Sequence, residues 1–381
     1  MNLAFALFTY SSHSGLSRDA VAIARACGEG GHRVRVYAGE IRDGGLRAAG
    51  LDAQLVAPPF GARSNYRKNR AFAARLPGAA AEFSPDLIVG FNKMPGLDVY
   101  YAADAAFAVK RGERGFLYRM TPRCRQHFAF EKAVFGRESE TEILMISRAQ
   151  IAVHQHFYGT PAARMTLLPP GISREHIIGA GEDAAARRAA FRAELGIADT
   201  DKALLALGSG FRIKGLERTL RGLAALPPAL AARTHLWVVG EDNAAPFERL
   251  ARKLGVGARV RFFGGRDDAP EFLLGADVLA HPAHLETAGK AILEAMVSGL
   301  PALVSDACGY ANYVREADMG EVIASPFSQE AFNLKLRELL ESEREVWRAR
   351  GREFARGADI YDMPLHARRR IEEIGKRARQ S

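Results

Sequence analysis

Residues His281–Pro301 read HPAHLETAGKAILEAMVSGLP. They set a carboxylate, a helix start and a second carboxylate in one compact unit. Thr287 is placed as an N-cap, with Ala288, Gly289 and Lys290 as the first helical turn. Ala291, Ile292, Ala295 and Met296 give an apolar stripe, and Gly299 with Pro301 closes the helix. The first turn of such a helix offers unpaired backbone N–H groups and the positive end of the helix dipole, which suits an anion. Gly289 lets a ligand approach the backbone closely, and Lys290 adds a full positive charge. Glu286 and Glu294 flank this start; in a span helical throughout they would stand about 12 Å apart along the axis. A nucleotide-diphosphate-sugar needs an anion site with a carboxylate on each side, one for sugar hydroxyls and one for the ribose. An ordinary surface helix competes for E-x7-E alone, but the cap, the Gly and the Lys between the acids favour a donor site.

Outward from this stretch, apolar runs at Ala203–Leu207, His235–Val239, Arg259–Phe263, Val278–His281 and Pro301–Val304 alternate with helical segments. That order predicts a doubly wound parallel sheet. Directly after its first strand comes GSGFRIKG, Gly208–Gly215. Its small residues leave room for a ligand, and Arg212 with Lys214 can neutralise a diphosphate. A DxD pair, Asp199 and Asp201, precedes that strand; it is read as a helix-to-strand turn, and no metal is predicted.

The first half repeats the pattern. LAFALFTY (residues 3–10) is a buried strand, followed by the loop 11–17 and a helix. Gly28, Gly30 and Gly31 end that helix and are read as a C-cap, not a phosphate loop, because they follow a helix instead of opening one. Ligands of doubly wound sheets sit at the carboxyl ends of strands, so Gly15 and Asp19 after the first strand are candidates. So are Asn92, Lys93 and Asp98 after the strand DLIVGF. Pro169-Pro170-Gly171 is taken as the domain break. The expected division is an N-terminal domain 1–168, a C-terminal domain 169–357, and a terminal helix 358–381 returning to the first domain.

With 381 residues, 48% hydrophobic and 25% charged, the chain suits two soluble globular domains. Cys27, Cys124 and Cys308 show no paired spacing, so neither a disulfide framework nor a zinc site is predicted. No signal peptide or spanning run is seen, and a cytoplasmic location is expected. The net charge of +9 calls for an acidic partner. Much of that charge lies in residues 105–137. There Lys110, Arg111, Arg119, Arg123 and Arg125, among others, are opposed only by Glu113 and Glu131 and interleaved with Phe107, Phe116, Phe128 and Phe130. Such a mixture suits an anionic membrane surface; nucleic acid is not expected, because no nucleic-acid motif accompanies it.

HLETAGKAILEAMVSGLP, GSGFRIKG and LPPGI together resemble the retaining glycosyltransferases of family 4. GFNKMPGLDVYYAAD (Gly90–Asp104), GFLYR (Gly115–Arg119), LLPPGI (Leu167–Ile172), CGY (Cys308–Tyr310) and PFSQE (Pro326–Glu330) are similar to the glucosyltransferases of the lipopolysaccharide core. The resemblance implies an α/β GT-B fold, two Rossmann-like domains facing across a cleft. It implies metal-free transfer of a hexose, glucose foremost, from a UDP-sugar to an inner-core heptose, with no cofactor, at the inner face of the inner membrane. By the same resemblance Glu286 holds sugar hydroxyls and Glu294 the ribose. Lys214, Arg212, Gly15 and the Ala288–Lys290 backbone hold the diphosphate, and Asp19 and Asp98 lie near the acceptor. Two departures are visible: SSHSG replaces the family's first-loop Gly pair, and Ile213 separates Arg212 from Lys214. A UDP-sugar epimerase of the same fold and a non-catalytic membrane- or nucleic-acid-binding protein are the alternatives.

Overall fold

The first strand, NLAFAL, carries five consecutive fully buried residues, Leu3 to Leu7. A strand covered on both faces belongs inside a parallel sheet with helices on either side. The structure, a computed structural model, describes the chain apart from residues 13, 61, 110–114, 173–182 and 381. It forms two compact units, Met1–Gly171 with Ile360–Ser381, and Ile172–Asp359.

In the first unit seven strands run β1 (Asn2–Leu7), β2 (Arg33–Ala38), β3 (Asp52–Leu55), β4 (Leu87–Gly90), β5 (Val99–Ala102), β6 (Glu142–Met145) and β7 (Met165–Leu167). All are parallel, in the order β3-β2-β1-β4-β5-β6-β7. The strand order reverses between β1 and β4, so the chain segments leaving those two strands diverge and open a crevice at their carboxyl ends. The helix Gly15–Glu29 follows β1; Gly31 at φ 81° completes the turn behind it. The helix Met363–Ala378 also belongs here. Arg370 and Arg377 donate to Glu142 at 2.9 and 3.0 Å, and Arg379 donates to Asp86 at 3.0 Å. Its basic charge is thus partly met by acids of this unit.

The second unit repeats the design with β8 (Lys202–Leu207), β9 (Thr234–Val239), β10 (Val260–Gly264), β11 (Val278–His281), β12 (Ala302–Ser305) and β13 (Gly320–Ile323). They are parallel, in the order β10-β9-β8-β11-β12-β13, with the reversal between β8 and β11. Leu204, Leu220, Leu236, Val278, Phe332 and Leu336 are wholly buried in its core. Among the described residues no helix is long and apolar enough to cross a membrane.

Candidate active site

Both loops singled out in the second half leave strands at the reversal. Residues 208–215 follow β8, and residues 282–289 follow β11. Three glycines let the first loop turn back on itself. Gly208 has φ 112°, Gly210 φ 81° and Gly215 φ 73°. A Cβ on Gly215 would lie 2.0 Å from the Pro282 carbonyl oxygen, so the two loops touch backbone to backbone there. Gly215→Ala therefore meets both positive φ and a fixed carbonyl. It is expected to cost about 2 kcal/mol or more, read as a lower midpoint of chemical unfolding.

That contact brings Lys214 to Glu286. Lys214 Nζ donates to Glu286 Oε2 at 2.6 Å, and His281 Nε2 meets the same oxygen at 3.3 Å. Burial alone would raise the Glu286 pKa. The hydrogen bond from His281 and the charge of Lys214 outweigh it and hold the carboxyl at about 2. Burial and the Lys214 charge lower the His281 pKa, so its imidazole stays neutral and gives an N–H to the carboxylate. A carboxylate at about 2 is a poor general base. It can accept hydrogen bonds, which is what sugar hydroxyls supply.

The chain around Glu286 is fixed by groups that sequence inspection did not single out. Arg218, on the helix after the first loop, donates to the Pro282 and Ala283 carbonyls at 2.9 and 3.2 Å, and its guanidinium lies over Phe327 at 3.8 Å. Ser305 Oγ donates to Ala283 at 2.6 Å. The Cys308 thiol, raised to about 11 chiefly by burial, donates to the His281 carbonyl at 3.5 Å. It is an inert buried thiol, and Cys27 and Cys124 are likewise free and buried. The available sequence signal was an arginine one turn beyond Lys214.

The expected Thr287 cap is corrected. The helix is Lys290–Val297, and its N-cap is Gly289 at φ 100°. Residues 286–288 are non-helical instead, because Glu286 N–H donates to the Ala307 carbonyl, and the amides of Gly309 and Tyr310 donate to the Glu286 and Ala288 carbonyls. The wholly helical spacing of Glu286 and Glu294 is corrected with it. The amides of Ala288, Gly289 and Ala291 have no acceptor among the described residues, so the helix start does present free donors. Glu294 lies within that helix and is 8% exposed. Arg212 is exposed, and its side chain has no partner among the described residues. Asp199 and Asp201 stand just before β8, at the amino end of the sheet.

In the first unit the candidates divide. Gly15 opens its helix, and a Cβ there would meet no atom within 4 Å. Asp19 is buried and accepts from Tyr101 at 2.9 Å. Asn92, at the carboxyl end of β4, accepts from the Phe8 N–H at 2.7 Å.

Asp98 is a correction. It precedes β5, pairs with Ile88 near the amino end of β4, and accepts the Ile88 N–H at 2.6 Å. It therefore sits at the opposite end of the sheet from the ligand-bearing loops.

Lys93 is a second correction to the surface set. Its ammonium is drawn to the wholly buried Glu131 at 2.6 Å, where Phe107 N–H, Ala108 N–H and Tyr158 OH also donate. Glu131 thus anchors the chain at 107–108 and is no surface counter-charge. Lys110 and Arg111 lie outside the described residues. Arg119, Arg123 and Arg125 are exposed near Phe116, Leu117 and Met120, which are 73%, 82% and 51% exposed.

Two doubly wound parallel units, with basic and acidic residues meeting at a strand reversal of the second, fit a glycosyltransferase of the GT-B type, and the comparisons show that family. The profile of the family described as "Glycosyl transferases group 1" matches residues 187–354, within the second unit. The lipopolysaccharide glucosyltransferase WaaG of Escherichia coli (strain K12) is 41% identical over 370 residues, 96% of this chain and 97% of that one. A crystal structure of WaaG superposes with TM-score 0.91 at 40% identity, covering 97% of this chain and 99% of the other. Anabaena Alr3699/HepE, solved with UDP and glucose, shares the fold at TM-score 0.74 and 19% identity over 98% of each chain. The chain belongs to the group 1 glycosyl transferases, in the branch that contains WaaG, and is an enzyme of that class.

Proposed function

We propose that this enzyme transfers glucose from UDP-glucose to a heptose of the lipopolysaccharide inner core, with retention at the anomeric carbon and without a metal ion. The near full-length likeness to a lipopolysaccharide glucosyltransferase carries this reading. The geometry supports its division of roles. Glu286, ionised and desolvated, accepts from the sugar hydroxyls. Glu294 takes the ribose. Lys214, Arg212, the Lys290 ammonium and the free amides of Ala288, Gly289 and Ala291 take the diphosphate, whose charge grows as the glycosidic bond breaks. With that charge met by protein groups, the leaving diphosphate needs no divalent ion. In this reading the attack is on the front face, and the leaving oxygen helps remove the acceptor proton, since neither Glu286 nor neutral His281 is poised as a strong base.

Phe116, Leu117 and Met120 beside Arg119, Arg123 and Arg125 would contact the anionic inner face of the inner membrane, where the acceptor is held. Gly15 enters as a place of close ligand approach. Gly15→Ala is expected to lower transfer while leaving unfolding stability within about 0.5 kcal/mol, because the added methyl has open space in the fold. The deciding test is mass-spectrometric. Metal-free enzyme, heptosylated core lipopolysaccharide and each UDP-hexose are combined, and a one-hexose gain with UDP-glucose is expected. Interconversion of the UDP-sugar without acceptor would point to an epimerase. A gain only after adding divalent ions would overturn the metal-free mechanism.

A further inference from the structure

At the carboxyl ends of β1 and β2 the first unit contains a cavity of about 260 Å³. That is small beside a drug-sized site, and it suits a single monosaccharide unit. Its floor is apolar: Phe8 and Phe72 meet edge to face at 5.7 Å. Its walls are polar. Asn65, Lys68 and Asn69 lie on one face of the helix Asn65–Ala80, at the i, i+3 and i+4 positions. None of the three side chains has a hydrogen-bonding or ionic partner among the described residues. Asn92 spends its carbonyl oxygen on Phe8 N–H, which leaves its amide NH2 to donate. Glu40 and Arg42 pair at 3.1 Å and cancel in charge, so Lys68 gives the wall a net positive charge. Aromatic carbons under a ring, amides for hydroxyls and one uncommitted ammonium are the components of a site for an anionic sugar.

We propose that this cavity is an acceptor subsite taking one sugar unit that bears an anionic oxygen group, phosphate or carboxylate. Lys68 binds the anion, and Asn65, Asn69 and Asn92 bind the hydroxyls. The inference rests on the glycosyltransferase reading and adds the acceptor chemistry to it. The test is calorimetric binding of three probes: intact heptosylated core oligosaccharide, the same after phosphatase treatment, and the same after carboxyl reduction.

Wild type should lose about tenfold in affinity for one of the treated probes, which names the anion. Lys68→Met should bind the intact probe about tenfold more weakly and no longer respond to that treatment, while Lys68→Arg recovers most of the affinity. UDP-glucose affinity and the melting curve should be unchanged in both variants. Wild-type affinity for Lys68→Met, no discrimination by wild type, or no binding of any probe would overturn the subsite. Binding needs no turnover. Oligosaccharide that binds in this manner but receives no hexose from any donor would instead refute the proposed transferase activity.

Discussion

Lys214→Ala is expected to lower kcat about 100- to 1,000-fold, the usual loss when one preorganised charge at a departing oxyanion is removed, and to weaken UDP-glucose binding less. The reason lies in what the ammonium does before and during reaction. In this structure it is committed to Glu286 at 2.6 Å, inside a pair whose side chains are 24% and 21% exposed. Ground-state diphosphate must share the ammonium with that carboxylate. As the bond to the sugar breaks, the leaving oxygen gains charge and can draw the ammonium more strongly. The gain is therefore larger in the transition state than in the donor complex. Removing Lys214 also removes one of the two influences that hold Glu286 at about 2, so its pKa rises. Lys214→Arg, which keeps the charge but not its compact shape, should fall between the two. Calorimetric donor affinities and single-turnover rates separate the contributions. Equal losses in binding and rate, or no loss, would refute the transition-state role.

How far such a site can be read from sequence depends on which interactions are local. Glu286, Gly289, Lys290 and Glu294 share one short segment, and GSGFRIKG directly follows a strand, so the placement of both loops at strand ends was legible. The Lys214–Glu286 contact spans 72 positions and was not legible; it depends on loop-to-loop contacts such as Gly215 on Pro282 and the His284 N–H on the Ile213 carbonyl. Thr287 has the right side chain for a cap, but the backbone pairing of 286–288 with 307–310 overrides local preference. Lys93 and Glu131 looked like surface charge because nothing local marks a carboxylate that is 0% exposed. The alternation of strands and helices was plain in both halves, whereas the short strands β3, β5 and β13 were not. β3 and β13 are edge strands of four residues with little buried surface, and β5 lies within a loop-like motif rich in turn formers.

His154→Phe is expected to make the protein more resistant to acid. His154 is 0% exposed, its ring stacks on Phe135 with centroids 3.5 Å apart, and neither ring nitrogen has a partner among the described residues. Burial, helped by the charge of Lys93 and opposed by Glu131, pushes its pKa from 6.5 down to about 3. The unfolded chain therefore binds a proton at pH values where the folded one does not. Stability from this site is complete above 6.5 and is lost as the pH falls toward 3, at about 1.4 kcal/mol per pH unit. Phenylalanine fits the same stack and binds no proton. It also removes two buried nitrogens without partners, so at pH 7 the variant should be at least as stable as wild type. Carboxylates with lowered pKa, Glu286 among them, weaken both proteins alike at low pH. The difference between them reports His154 alone. Urea unfolding followed at pH 7, 5.5 and 4.5 should show that difference growing as the pH falls. A constant difference across the series would mean that the imidazole is hydrated or already paired in solution.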